Sequence, residues 1–148
     1  MRIGIDLGGT KVEGIRLKDN GQIDKKIRVS TPTENYDSVI TSICDLISDL
    51  QTSDRLSVGI GTPGTLDPQT SFMKNSDSLC INGSPFKKDI EDKLDYSIRV
   101  ENDANCFALS EAIYGAGKEF KCVFGVILGT GSGGGLVCLL YTSDAADE

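Results

Sequence analysis

The sequence has no histidine and no tryptophan, and its five cysteines form no Cys-x-x-Cys pair within its 148 residues. Without histidine or closely paired cysteines, the common zinc-binding patterns are excluded. No apolar run approaches the roughly 20 residues that a membrane-spanning helix needs, so we expect no membrane partner. The chain enters an apolar strand directly after Met1 and shows no signal-peptide pattern. Scattered thiols without an export signal predict a reducing, cytoplasmic location.

Positive charge is also scarce, because 15 Lys and Arg stand against 22 Asp and Glu, which gives a net charge of −7. An acidic chain without a basic cluster is a poor nucleic-acid binder, so we expect no nucleic-acid partner. Hydrophobic residues make up 39% of the chain and charged residues 25%, a balance that allows a buried core. The length suits one domain, and the alternation of strands and helices predicts an α/β fold.

The most informative stretch is Asp6-Leu7-Gly8-Gly9-Thr10-Lys11, which lies between two strand-like runs. Glycines allow backbone N–H groups to approach a ligand closely, and a threonine hydroxyl and a lysine ammonium both suit phosphate oxygens. Asp6 suits a hydrated Mg²⁺, which takes only one or two carboxylates beside waters and phosphates. The alternative is a plain hairpin with Gly-Gly at its turn.

A second glycine-rich stretch, Gly129 to Gly135, follows the apolar run Phe124–Leu128. Its spacing matches G-x-G-x-x-G, but that dinucleotide fingerprint should open a helix and precede an acid about 20 residues further on. Here the following residues are strand-like, and neither stretch is a Walker A motif. The sequence therefore predicts two strand–glycine–strand hairpins that act as phosphate clamps. The clamp residues of the second hairpin are Gly129, Thr130, Gly131, Gly133 and Gly134.

Asn102 and Asp103 lie between the end of a predicted strand and the start of a predicted helix. Open α/β sheets bind ligands at the carboxyl ends of their strands. Asn102 offers a donor and an acceptor to the hydroxyls of a ligand, and Asp103 can accept the proton of an attacking hydroxyl. The alternative is that Asp103 only caps the following helix, and spacing alone favours this alternative.

Four motifs in a fixed order give the chain a family resemblance. They are Asp6-Leu7-Gly8-Gly9-Thr10-Lys11, Gly59-Ile60-Gly61-Thr62-Pro63-Gly64, Glu101-Asn102-Asp103-Ala104-Asn105 and Gly129-Thr130-Gly131. The chain resembles the N-terminal part of the ROK sugar kinases over residues 1–137. The resemblance implies a ribonuclease H-like (actin-like ATPase) α/β fold with a mixed sheet and flanking helices. It also implies ATP and Mg²⁺ as cofactors, a homo-oligomeric full-length protein, and Asp103 as the catalytic base.

The resemblance further implies an ATP-dependent hexokinase, of which this chain is a fragment that we expect to be inactive alone. The hexose contacts it implies are Gly64, Asn75, Asn82, Gly83, Asn102 and Asp103. Fructose is the leading substrate, because the stretch from Asn82 to Phe86 resembles fructokinases. N-acetylglucosamine or glucose is the alternative, because the stretch from Asn102 to Glu111 resembles N-acetylglucosamine kinases. For Asn82-Gly83 a plain turn is the competing interpretation.

Two other functional classes remain open. ROK repressors carry a DNA-binding segment ahead of the first glycine stretch, and we do not expect one here because the first strand follows Met1 directly. A non-catalytic actin-like ATPase would have both hairpins but no reason for Asn102-Asp103 beside a sugar pocket. A sugar-dependent thermal shift of the full gene product would separate these classes from a kinase.

Residues 138–148 do not fit the family pattern. The segment, Cys-Leu-Leu-Tyr-Thr-Ser-Asp-Ala-Ala-Asp-Glu, resembles a translated transposase sequencing adapter, and such segments are excluded from fold reasoning. The sequence therefore predicts a truncated kinase domain over residues 1–137 and a non-native tail over 138–148. The zinc cluster and the adenosine site of the family would lie in the missing half.

Overall fold

The computed structural model describes residues 1–32, 35–76, 79–128 and 132–138. The chain divides into two compact units, Met1–Asp103 and Ala104–Glu148. The strands and helices are β1 (Arg2–Leu7), β2 (Lys11–Leu17), β3 (Ile23–Ser30), α1 (Tyr36–Leu50), β4 (Ser57–Thr62), β5 (Thr65–Leu66), β6 (Met73–Lys74), a 3₁₀ turn (Leu79–Ile81), α2 (Phe86–Leu94), β7 (Arg99–Asn102), α3 (Asp103–Tyr114), β8 (Cys122–Leu128) and β9 (Ser132–Cys138).

The first unit is built on a five-stranded sheet with the order β3-β2-β1-β4-β7. Strands β1, β2 and β3 pair antiparallel, whereas β4 pairs parallel with both β1 and β7. The mixed sheet predicted from the sequence is confirmed. Because β1, β4 and β7 run in the same direction, their carboxyl ends lie at one edge of the sheet.

Helix α1 covers one face of this sheet, and its bounds agree with the predicted apolar spacing over residues 36–50. The Asn35 side chain caps the helix by accepting the backbone N–H of Ser38 at 2.9 Å. The helix buries seven apolar side chains, and each Val, Ile or Leu among them is worth about 1.5–3 kcal/mol when fully removed from water. Gly14 in β2 allows this approach, because a Cβ there would lie 2.6 Å from the Leu50 side chain.

Strand β3 is the outermost strand on one side of the sheet and carries positive charge. Lys25, Lys26 and Arg28 are all exposed on it. Glu13 of the neighbouring strand accepts Arg28 Nε at 2.6 Å and forms an ion pair with Lys26 Nζ at 2.6 Å. These two cations hold the pKa of Glu13 below its usual value, with Lys26 the larger cause.

In the second unit, helix α3 packs its alanine face on the β8–β9 hairpin. Ala104, Ala108 and Ala112 are buried, and the missing side chains of Gly125 and Gly135 make room for this helix. A Cβ on Gly125 would lie 3.1 Å from Ala108 Cα, and one on Gly135 would lie 2.8 Å from the Ala104 carbonyl carbon. Small residues on both partners thus allow a close helix–sheet contact.

The other face of the β8–β9 hairpin is exposed and apolar. Phe124 is 67% exposed, and the remaining large side chains on this face are Val126, Leu128 and Leu136. Strand β9 ends at Cys138, the first residue of the segment that the sequence assigns to a tail, and residues 139–148 lie outside the described part of the chain. Across the described ranges, the helices are all too short or too polar to span a bilayer.

Candidate functional site

The first unit gathers polar residues where its three parallel strands end. Asp6 of β1 is in register with Gly61 of β4, and Thr62 of β4 is in register with Asn102 of β7. The predicted site residues that follow these strands therefore share one edge of the sheet. This is the edge at which open α/β sheets bind ligands.

The turn between β1 and β2 is fixed from two sides. Gly8 N–H donates to the Lys11 carbonyl at 3.0 Å, which closes the hairpin. Thr31, only 7% exposed, donates its hydroxyl to the Gly8 carbonyl at 2.7 Å and its N–H to the Thr10 carbonyl at 3.0 Å. The sequence reasoning missed Thr31, because its partners are more than 20 positions away along the chain. Thr31 thus fixes the carbonyl groups of Gly8 and Thr10 in the hairpin turn.

Gly9 stands at the tip of this hairpin in open space. Among the described glycines, only Gly21 and Gly83 have a left-handed φ, so the backbone at Gly9 would suit other residues too. A Cβ built on Gly9 would have no atom of the described residues within 4 Å. Since the fold does not demand a glycine here, the open tip suits the close approach of a ligand. Thr10 and Lys11 are exposed beside it.

Asp6 is the acid beside this hairpin, and its pKa is raised above the usual value. Partial desolvation of the carboxyl is the largest cause, the carboxylates of Asp103 and Glu13 add to it, and Arg28 opposes it. The nearby carboxylates of Asp6 and Asp103 form a suitable place for a cation. No group of three or more metal-ligating side chains occurs in the described residues, but Mg²⁺ needs only one or two carboxylates when phosphates are present. Asp6 therefore fits the predicted role.

Asn102 is tied to the turn that follows β4. Its Nδ2 donates to the Gly64 carbonyl at 3.2 Å and to the Thr62 carbonyl at 3.5 Å. The buried Thr62 hydroxyl donates to the same Gly64 carbonyl at 3.2 Å. The Thr62-Pro63-Gly64 turn and the end of β7 thus form one hydrogen-bonded unit, which fixes Asn102 beside Asp103.

Gly64 lies against the segment that leaves β6. A Cβ on Gly64 would be 2.6 Å from the Lys74 carbonyl oxygen and 3.0 Å from Ser76 N. The close approach requires a glycine at this position for a packing reason. Asn75, in the same segment, has a left-handed φ of 57°. The structure thus brings Gly64 close to the segment that contains Asn75, and the hexose contacts of both residues stay predictions.

Asn82 and Gly83 lie in the turn that leads to α2. Gly83 has a φ of 72°, which favours glycine, and this supports the turn interpretation of the pair. The Asn82 side chain is occupied by the backbone of Ser76. Whether either residue contacts a hexose stays a prediction.

Asp103 is the first residue of α3 and follows Asn102 directly. Its carboxylate is near enough to Asp6 to raise the pKa of Asp6. The position serves both interpretations made from the sequence, because a residue at a helix start can cap the helix and also face a ligand. The base role of Asp103 stays a prediction.

The second predicted clamp is described only in part. Gly129, Thr130 and Gly131 lie outside the described residues. Gly133 and Gly134 belong to β9, where a Cβ on Gly133 would lie 3.3 Å from Ala104 Cβ and one on Gly134 would lie 3.1 Å from the Phe124 ring. These two glycines serve packing within the second unit, and their phosphate role stays a prediction.

Known proteins share this architecture. The N-acetyl-D-glucosamine kinase of Shigella boydii serotype 4 (strain Sb227) is 39% identical over 140 residues, which are 93% of this chain and 46% of that protein. A ROK family glucokinase from Streptomyces griseus, solved in complex with glucose and AMPPNP, is 30% identical with a TM-score of 0.82 over 93% of this chain and 44% of that chain. The chain thus spans about half the length of the relatives it matches.

A transcriptional regulator of the ROK family, a homolog of the E. coli MLC protein, also has the fold. It is 17% identical with a TM-score of 0.79 over 93% of this chain and 36% of that chain, a likeness of fold alone. The fold and the sheet edge define an α/β domain of the ribonuclease H-like, actin-like ATPase type, which the neighbouring ROK sugar kinases share. The ROK family model matches residues 2–139, so the chain belongs to the ROK family.

Proposed function

We propose that this chain is the N-terminal half of an ATP-dependent hexokinase that transfers a phosphoryl group to a hexose hydroxyl. The observation that supports this most is the position of Asn102 and Asp103. Asn102 ends β7 and Asp103 begins α3, at the edge where the parallel strands of the sheet end. Asn102 is bonded to the Gly64 turn, and Asp103 lies near Asp6. A non-catalytic ATPase has no need of this arrangement.

The residues divide into two groups by their chemistry. Asn102 and the Gly64 turn orient the hexose, and Asp103 accepts the proton of the attacking hydroxyl as the phosphoryl group transfers. The hairpin of Gly8, Gly9 and Thr10 receives the phosphates, aided by the Lys11 ammonium. Mg²⁺ held by Asp6 would neutralise phosphate charge. Positioning and electrostatic stabilisation supply most of the rate enhancement in phosphoryl transfer.

Fructose is the proposed hexose, on the resemblance of the stretch from Asn82 to Phe86 to fructokinases. N-acetylglucosamine is the second candidate, because the N-acetyl-D-glucosamine kinase relative is 39% identical. Values of kcat/KM for fructose, glucose and N-acetylglucosamine, measured on the complete protein with ATP, decide between them. A complete protein that phosphorylates no hexose would contradict the proposed function.

Asp103→Asn in the complete protein tests the role of the base. The amide keeps the shape and much of the capping capacity of the carboxylate but cannot accept the proton. General-base contributions are about 10²–10⁴-fold, so we expect kcat to fall at least about 100-fold with an unchanged melting temperature. Asp103→Ala should in addition lose the cap, a cost of about 1 kcal/mol.

A matched control is available in the other long helix. Asp37 is also an acid in the first turn of its helix, α1, and is exposed. Asp37→Asn should leave kcat unchanged. If Asp103→Asn kept near-normal turnover, or lost activity only by unfolding, Asp103 would be a capping residue and not the base.

A further inference from the structure

The segment from β6 to α2 closes on itself to form a small loop at the sugar side of the site. Met73 N–H donates to the Ser84 carbonyl at 2.9 Å, and Gly83 N–H donates to the Met73 carbonyl at 2.7 Å. These two bonds join the ends of the loop in the manner of a short antiparallel ladder. The residues just inside the ladder, on both sides, are therefore held near each other.

Between the ends of this loop, the Asn82 side chain makes two hydrogen bonds to the backbone of Ser76. Its Oδ1 accepts Ser76 N–H at 2.9 Å, and its Nδ2 donates to the Ser76 carbonyl at 2.8 Å. The Asn82 carboxamide thus makes the two hydrogen bonds that a neighbouring strand would make to the backbone of Ser76. Ser76 is only 4% exposed. A buried backbone amide and carbonyl that lost these partners would be costly, because unsatisfied buried groups carry a desolvation penalty.

Direct contacts connect the Asn82–Ser76 hydrogen bonds to Asn102, on the predicted hexose side of the site. Ser76 lies against Gly64, where the space for a Cβ is already limited by Ser76 N at 3.0 Å. The Gly64 carbonyl in turn accepts Asn102 Nδ2 at 3.2 Å. A continuous path of contacts therefore runs from Asn82 through Ser76 and Gly64 to Asn102.

We propose that Asn82 is a positioning residue that sets the affinity for the hexose by holding Ser76 against the Gly64 turn. Its carboxamide acts through the backbone of Ser76, so it differs from the direct sugar contact that the sequence predicted for Asn82. This inference rests on the proposed hexokinase function. A side-chain amide suits this role, because it offers an acceptor and a donor on two separate atoms.

The test compares Asn82→Ala and Asn82→Asp with the wild-type complete enzyme. Hexose KM, ATP KM and kcat are measured, together with hydrogen exchange at the Ser76 amide without sugar. For Asn82→Ala we expect faster exchange at Ser76 and a hexose KM raised about tenfold, equivalent to about 1.4 kcal/mol. The ATP KM should stay unchanged, since the phosphate hairpin contains no part of this loop.

Asn82→Asp keeps the acceptor for Ser76 N–H and replaces the donor to the Ser76 carbonyl by a second carboxylate oxygen. Its Ser76 amide should stay protected, and its hexose KM should rise less than that of Asn82→Ala. Asn20→Ala is the matched control, because the Asn20 side chain also bonds a nearby backbone N–H, that of Gln22, but in an exposed turn away from the site. This control should leave all three constants unchanged.

Several results would overturn the inference in an active enzyme. A raised hexose KM with unchanged Ser76 exchange would mean that Asn82 contacts the sugar directly. An unchanged hexose KM, or an equal rise in the KM for hexose and for ATP, would also contradict it. If Asn82→Ala fails to fold, Asn82→Asp decides alone through its hexose KM. Inactivity of the wild-type enzyme towards every hexose would overturn the proposed function instead. Hydrogen exchange at the Ser76 amide would still show whether Asn82 protects it.

Discussion

The two glycine-rich hairpins use their glycines for different purposes. In β1–β2, Gly9 stands in open space at the tip, and the two strands are part of a five-stranded sheet. In β8–β9, Gly125 and Gly135 make room for helix α3, and the two strands form a sheet of their own. The same composition thus leaves open space at the tip of one hairpin and serves helix packing in the described part of the other.

The two hairpins also differ in how their apolar residues are covered. The first unit buries its core between the sheet and α1, with Ile3 and Ile5 at most 3% exposed. The β8–β9 hairpin is apolar on both faces, but α3 covers only one of them, and Phe124 and Leu128 stay exposed on the other. Strands that are apolar on both faces are typical of sheets covered on both sides.

Gly135→Ala should have the largest effect on stability. The added Cβ would meet the Ala104 carbonyl carbon at 2.8 Å, and backbone atoms cannot move aside cheaply. Overpacking of this kind costs about 1–3 kcal/mol, which urea unfolding of the second unit would measure. Gly133→Ala is the control, because its Cβ would lie 3.3 Å from Ala104 Cβ and needs only a slight adjustment. Equal unfolding midpoints for the two variants would contradict the packing role of Gly135.

Gly9→Ala should change ligand binding without changing stability. Its Cβ meets open space, whereas a Cβ on Gly8 would lie 3.0 Å from the Lys11 carbonyl oxygen. We expect Gly9→Ala to raise the ATP KM of the complete enzyme about tenfold, a loss of about 1.4 kcal/mol. Gly8→Ala should instead lower the melting temperature. A Gly9→Ala enzyme with a normal ATP KM would show that the tip does not receive phosphates.

Asp6→Asn should have the smallest effect, a modest gain in stability at neutral pH. Because the folded-state pKa of Asp6 is raised, the ionised carboxyl destabilises the fold at pH values above that pKa. The gain should therefore shrink as the pH falls and vanish below the reference value of 3.8, where the carboxyl is protonated in both states. Thermal melting between pH 3 and 7 measures this. A gain that grew towards low pH would contradict the raised pKa.

The parts predicted well from the sequence are those with local signals. The apolar spacing of α1 and the alternation of β1–β3 predict these elements within a residue or two, because side chains on one face must be buried together. Strands β5 and β6 have two residues each, too few for any periodicity, and the sequence analysis missed them.

The parts of the site that were not predicted depend on contacts between distant residues. Thr31 supports the first hairpin across more than 20 positions, and a Ser-Thr-Pro stretch gives no hint of this. The sequence analysis predicted a sugar contact for Asn82 and missed its hydrogen bonds to the Ser76 backbone, since an amide serves a sugar or a backbone equally well. The sequence was enough to predict which residues follow the ends of the parallel strands. It was not enough to predict the hydrogen-bond partners of Thr31 and Asn82.

The lysines of β3 have a consequence for aggregation. An outer strand presents unpaired backbone groups to other chains, and charged side chains on such a strand oppose intermolecular pairing. Lys25, Lys26 and Arg28 protect β3 in this way, while both strands of the two-stranded β8–β9 sheet are edges flanked by exposed apolar side chains. Any strand pairing between copies of this chain should therefore begin at β8–β9, so a charged residue in place of the exposed Val126 is the first change to make for a soluble preparation.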